Sequence, residues 1–264
     1  MEYLLALVDL ENALLVALIF VPLERLFPAR PDQRTFRRSW LNDIVYFLLN
    51  RVPIGIGMLL LAVLGSLLGS AFIPVEFRAA VAAQPFWLQV VVLLLFADFG
   101  FYVVHRLFHT IPALWRFHAI HHSIEELDWL AAHRVHPIDQ IVTKGATLVP
   151  IFALGFSGSA MAAFFLLYQW HSLILHANVR IGFGALHWVV ASPCFHHWHH
   201  ADHPEAWNKN FSGQFPVWDI IFGTAHMRRD SLPTRYGIEE PVPGTYGRQL
   251  LYPFQSRADA APQN

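Results

Sequence analysis

Eight of the chain's 16 histidines fall into three short runs, His105-x3-His109, His118-x2-His121-His122 and His196-x2-His199-His200. On an α-helix, residues three and four apart lie on the same face. With His118 at zero on a helical wheel, His121 falls at about −60° and His122 at about +40°. The third run repeats that arc, and His105 and His109 lie about 40° apart. Neutral imidazole is a borderline ligand that suits zinc, copper, iron and nickel. One tetrahedral zinc takes four protein ligands, or three at a catalytic site. Eight imidazoles on helix faces therefore imply two metal ions, held without any carboxylate.

Such faces need helices to carry them, and the chain supplies long apolar ones. Hydrophobic residues make up 55% of its 264 residues and charged ones 14%, more apolar and less charged than soluble domains. The expected fold class is all-α: a polytopic membrane helix bundle with a cytoplasmic helical cap carrying a histidine-rich di-metal site. Leu4 to Leu23 lacks a basic start and a small-residue cleavage site, so it reads as an anchor helix rather than a signal peptide. A loop with Arg25, Arg30, Arg34, Arg37 and Arg38 follows, which the positive-inside rule assigns to the cytoplasm. Leu41 to Ile73 is long enough to span with tilt, with Pro53 and several glycines as its kink. Ala79 to Gln84 connects on the far side, and Phe86 to Phe108 returns, bearing Asp98, His105 and Arg106 in its second half. Ionisable residues inside such a helix are functional candidates.

The following stretch, Trp115 to Asp139, is too polar to span and reads as the cap. Ala113 to His122 begins one helix, and Ser123-x-x-Glu126 has the form of a capping box for another. Ala146 to Ile174 is the last long apolar stretch. If the second and third runs share a centre, the chain between them crosses the membrane an even number of times. About thirty residues are too few for two spans of ~20, so a hairpin of two short helices, turning near Gly155 to Ser159, is expected to dip in and return. Ser192-Pro193 supplies an N-cap and a first-turn proline for the helix of the third run. From Arg228 onward the chain reads as surface coil. The organisation is thus residues 1–40 as anchor and basic loop, 41–240 as the catalytic unit and 241–264 as a tail.

Net charge is −1, so the basic footprint of a nucleic-acid binder is missing. The single cysteine, Cys194, rules out an internal disulfide and a cysteine-based zinc site. Among the remaining histidines, His136 precedes a proline and would alone read as structural, while His176 follows the last apolar stretch and can drop onto the site from the membrane side. His171, about 140° from His176 on a helix, does not share its centre. His133, His187, His197, His203 and His226 read as non-ligands. Ligating imidazoles need a partner on their second nitrogen, and Glu125, Glu126, Asp128, Asp202 and Asp219 are candidates. Phe164, Tyr168, Trp129 and Trp170 suit core packing and the interface belt better than a substrate channel.

The series of histidine runs resembles the fatty acid hydroxylase/sterol desaturase superfamily of membrane di-metal oxygenases. Glu126-Leu-Asp-Trp129, Arg134-Val-His136-Pro137, His176-Ala-Asn178 and Phe215-Pro-Val-Trp218-Asp219-x-x-Phe222-Gly223-Thr224 are similar to bacterial members, so the resemblance covers roughly residues 40 to 240. The three-residue spacing of the first run is that of the sterol-type branch. The resemblance implies a ligand set of His105, His109, His118, His121, His122, His136, His176, His196, His199 and His200, holding two non-haem iron ions, with zinc possible on isolation. It implies O2-dependent attack on a C–H bond of a lipid such as a sterol, fatty acyl chain or aminolipid, by hydroxylation or desaturation. No flavin, haem or nicotinamide motif is evident, since Gly155-Phe-Ser-Gly-Ser lacks the full glycine fingerprint. Electrons would come from a separate ferredoxin, cytochrome or reductase. Two other classes compete: a membrane metal transporter, which needs ligands spread along a crossing path, and a membrane haem carrier, which needs only isolated histidine pairs.

Overall fold

The computed structural model describes residues 10–228 and 231–255. Among these the protein is all-α: eleven helices and no strand, with two isolated bridges, Pro28 to Val179 and Ala201 to Tyr236. Helix α1 is Leu10–Leu26, with Pro22 inside it; the first residues of the expected anchor lie outside the described part. Helices α2 (Trp40–Leu49) and α3 (Arg51–Phe72) are almost continuous. The break at Asn50 follows from Pro53, which has no N–H to return to the carbonyl of Leu49. A short α4 (Val75–Ala82) forms the far connection and α5 (Phe86–Thr110) returns. Three stretches are long and apolar enough to cross a membrane: Trp40–Phe72, Phe86–Thr110 and Gly158–His176.

The last apolar stretch is a hairpin of α7 (Pro137–Leu154) and α8 (Gly158–His176). Gly155 in the left-handed region (φ 83°) ends α7, and Ser157 caps α8 by accepting from Ala160 N–H. The two helices are not short. Helix α7 starts nine residues before the apolar run, because Asp139, Gln140 and Lys144 occupy its first turns. Eighteen and nineteen residues rise about 27 and 28 Å. The hairpin tip accordingly reaches the far connection, where Ser157 N–H donates to Gln89 at 2.9 Å and Gly155 abuts Arg78. The hairpin itself is as expected, its helices are longer, and of the two only α8 is long and apolar enough to cross a membrane.

The glycines of α3 also have a different task from the expected kink. Cβ atoms at Gly65 and Gly69 would collide with the backbone carbonyls of Val149 and Ala153, and one at Gly57 with Ile141. They let α3 and α7 approach closely, as small residues do where apolar helices pack without a hydrophobic drive between them. Val90, Leu93 and Ala97 of α5, Leu148 and Ile151 of α7, and Ala160 and Phe164 of α8 form the core of the bundle. Trp129 and Trp170 stack on Phe20 of α1, with centroids 6.4 and 5.9 Å away, which is packing.

The cap is built from α6 (Pro112–His122), α9 (Pro193–His199), α10 (Val217–Ile221), α11 (Tyr246–Leu251) and irregular segments. Ser123 ends α6 instead of starting a new helix, its Oγ donating to the carbonyl of Ile120 at 2.7 Å. The segment after it stays irregular because a tertiary tie fixes it: both carboxylate oxygens of Asp128 accept from Arg37, at 2.6 and 2.7 Å. The described residues beyond Arg228, 231–255, are not loose surface coil either. Tyr252 is buried with Tyr46, Ala119 and Ile120, and its hydroxyl donates to Glu240 at 2.8 Å.

Candidate metal centre

Helix α5 delivers His105 and His109, α6 delivers His118, His121 and His122, the end of α8 delivers His176, and α9 with its cap residue delivers His196, His199 and His200. These nine rings sort into two groups whose nitrogens lie within 4.8 Å of one another. One holds His105, His109, His118, His122 and His199; the other holds His121, His176, His196 and His200. The runs are therefore split rather than kept whole. On α6 the ring of His121 turns one way and those of His118 and His122 the other, and α9 divides likewise. The groups abut, with the rings of His122 and His200 stacked at 4.5 Å.

Proton placement tests whether metal fits here. A carbonyl oxygen only accepts, so every ring nitrogen set against one carries its proton. His105 Nδ1 donates to Phe211 O at 2.7 Å, His199 Nδ1 to Lys209 O at 2.8 Å, His121 Nδ1 to Arg134 O at 3.1 Å and His176 Nδ1 to Ser172 O at 2.8 Å. In each neutral ring this leaves a bare lone pair on Nε2. The Nε2 atoms of His121 and His176 nevertheless face each other at 3.1 Å, and those of His105 and His118 at 2.9 Å. Facing lone pairs repel unless a cation or an extra proton sits between them. Burial opposes the proton: it pushes the imidazoles of His121, His122, His196 and His200 well below their ordinary range and that of His199 down to about 3. A metal ion at ~2.1 Å from each nitrogen places neighbouring ligand nitrogens about 3.0–3.4 Å apart, for ligand angles between about 90° and the tetrahedral value. The Nε2 atoms of His109, His122 and His199 are also buried without a partner. The donor set fits two metal ions.

His136 stands outside both groups. Its Nδ1 accepts from Ile138 N–H at 3.1 Å, capping α7, and its Nε2 donates to Leu250 O at 3.2 Å. Both nitrogens are spent. The same holds for His171, set against Gln214 and Ala191, and for His197, set against Ala177 and Tyr236. His133, His187, His203 and His226 also lie outside the groups.

None of the carboxylates expected to back the ligands touches one of the nine rings. Asp139, one helical turn beyond His136, does: its Oδ2 accepts from His118 Nδ1 at 2.7 Å. Its place in the first turn of a helix opening at His136-Pro137 was the available signal. Other acids act one step further out. Asp98 of α5 accepts three backbone N–H groups, from Gly213, Gln214 and Phe215. Asp219 accepts from Phe211 and Ser212 N–H, both at 2.8 Å. Together they fix the loop whose Phe211 carbonyl orients His105. Asp43, fully buried, binds both Arg37 and Arg134, and the carbonyl of Arg134 orients His121.

The fold and site define an all-α membrane protein with two histidine groups able to hold metal at one end of its spans. The chain belongs to the fatty acid hydroxylase family, whose profile matches residues 90–224 and so takes in all nine convergent histidines. It is 30% identical over 241 residues to the ornithine lipid hydroxylase OlsE of Rhizobium tropici, covering 89% of this chain and 72% of that one. It is 32% identical over 148 residues to human alkylglycerol monooxygenase, covering 55% of this chain but only 32% of the relative. It is 28% identical over 151 residues to human cholesterol 25-hydroxylase, covering 54% and 52%. No solved structure matches the chain significantly.

Proposed function

We propose that the chain is an O2-dependent membrane monooxygenase that hydroxylates a C–H bond of a lipid, with two non-haem iron ions held by the nine convergent histidines. The observation that carries this is the pairing of bare Nε2 atoms in two abutting groups at the end of the membrane-spanning helices. Iron bound there would supply the redox chemistry that makes O2 reactive, while the protein supplies geometry and exclusion of water. The balanced reaction, R–H + O2 + 2e− + 2H+ to R–OH + H2O, needs two electrons. These come from a separate donor of the ferredoxin, cytochrome or reductase class. Hydroxylation is favoured over desaturation because the named relatives are hydroxylases and monooxygenases. An aminolipid is the first substrate class to test, since the relative with the widest coverage of the chain quoted above acts on ornithine lipid.

The residues support this reading in their own ways. Burial disfavours the charged form of His121, His122, His196, His199 and His200, and the neutral imidazole is the form that ligates. The arginine loop sits at the histidine end of the bundle, with Arg30 set against Asn178, two residues after His176. With the positive-inside rule, this supports a cytoplasmic face for the site, the side from which a soluble electron donor would approach. Zinc recovered on isolation would not contradict iron as the working metal, because imidazole binds both.

The test is lipid profiling of cells with and without the chain, under 18O2. A lipid heavier by one labelled oxygen is expected only with the chain present. Alanine at His118, His121, His196 or His199 should abolish that product while leaving the protein in the membrane. Wild-type product levels in two of these variants would overturn the assignment.

A further inference from the structure

We propose that Asp139 is a positioning residue that makes the five-imidazole group the tighter of the two metal sites. The inference rests on the reading of the histidine groups as a metal pair. Among the described residues, His118 is the one ring of the nine that is hydrogen-bonded to a carboxylate. His105, His199, His121 and His176 lean on backbone carbonyls. An anionic acceptor makes a stronger, charge-assisted bond than a neutral carbonyl. It also raises the electron density of the ring and so its strength as a ligand.

The geometry is built for this. Asp139 sits in the first turn of α7, three residues after the capping His136. Its side chain is nearly fully buried, and its second oxygen accepts from Thr143 Oγ1 at 3.2 Å one turn later. The hydroxyl holds the carboxylate plane, the carboxylate holds the Nδ1 proton of His118, and the proton fixes the lone pair on Nε2 towards its four companions. An acid in a first turn also favours the helix dipole. That effect needs no particular partner and does not distinguish one metal ion from another.

The experiment uses the full chain in detergent, loaded with zinc alone, and counts the ions retained against rising chelator. Wild type is expected to retain two. In Asp139→Asn, which keeps the shape and removes the charge, one ion should leave at ~10–100-fold lower chelator while the other is unmoved. Asp139→Glu should recover part of the difference. A melting curve of the metal-free protein, unchanged in Asp139→Asn, separates positioning from folding. If Asp139→Asn does not fold, Thr143→Val serves instead, with a smaller shift in the same single ion expected. Two ions shifting together, or neither shifting, overturns the proposal and leaves the metal pair standing. A wild-type chain that retains no pair removes the proposal together with the reading beneath it, and that result is read before any variant is made.

Discussion

The five-imidazole group takes two rings from the end of the apolar α5, whereas the four-imidazole group takes one from the end of the α7–α8 hairpin. Both share α6 and α9. Their outer supports differ more. Behind the first group stand Asp139 and the carbonyls of Lys209 and Phe211, in a loop held at Phe211 and Ser212 by Asp219 of α10 and at residues 213–215 by Asp98 of α5. Behind the second stand the carbonyl of Ser172, on the same helix as its ligand, and that of Arg134, in an irregular cap segment. One group thus has a fifth imidazole and is anchored to the bundle. The other has the four that a closed tetrahedral site needs and depends on a loop held by ion pairs.

That dependence gives the largest expected effect. Asp43 binds two buried guanidinium groups, Arg37 and Arg134; Arg37 is also held by Asp128, so it is the Arg134 charge that depends on Asp43. Breaking a buried ion pair by removing one partner costs about 3–5 kcal/mol, because the charge left behind is uncompensated. Asp43→Asn should lower the denaturation midpoint in detergent by a matching amount. At temperatures where the protein stays folded, it should release the ion of the four-imidazole group first, since the Arg134 carbonyl orients His121. Equal release of both ions would show that the two groups share one foundation.

The contrast was half legible in the sequence. The i, i+3 and i+4 spacing identified every ring on α6 and α9 that reaches a group, because helical geometry alone puts those rings on one side. It could not say that a 100° arc straddles two sites, since that depends on where α5 and α8 dock. The hairpin follows from a parity argument about shared ligands, and its helices, 18 and 19 residues, are longer than the apolar run alone gives. Hydropathy starts the stretch at Ala146, while the backbone starts at Pro137, and polar residues in the first turns of a buried helix carry no apolar signal. Asp139, Asp43 and Arg134 were hidden for the same reason. A carboxylate's partner 21 or 91 residues away leaves no local pattern, while Glu125, Glu126, Asp128, Asp202 and Asp219 all have partners other than the nine rings.

A smaller effect separates the groups by ligand count. His200→Ala leaves three imidazoles in its group, and His122→Ala leaves four in the other. The first should empty its site under a chelator that the second withstands, by about tenfold or more in concentration, given that outer partners alone are worth 10–100-fold. Metal analysis of the two purified variants checks this. If His122→Ala loses its ion as readily as His200→Ala, the fifth imidazole is a necessity.

The smallest effect concerns His136, the one histidine that resemblance counted among the ligands and the structure holds apart. Its Nδ1 takes the N–H of Ile138 and its Nε2 gives its proton to Leu250 O. This is the reverse of the tautomer in His105, His121, His176 and His199, whose Nδ1 carries the proton. A ring protonated on Nε2 and occupied on Nδ1 has no lone pair to offer. His136→Ala should therefore keep both ions at wild-type chelator resistance and lose only the cap, about 1 kcal/mol of stability. His136→Asn, with a side chain favoured at that cap, should recover most of that loss. Loss of one ion in His136→Ala would mean that the ring swings inward when metal binds and that the ligand count of one group is higher than its convergent rings give.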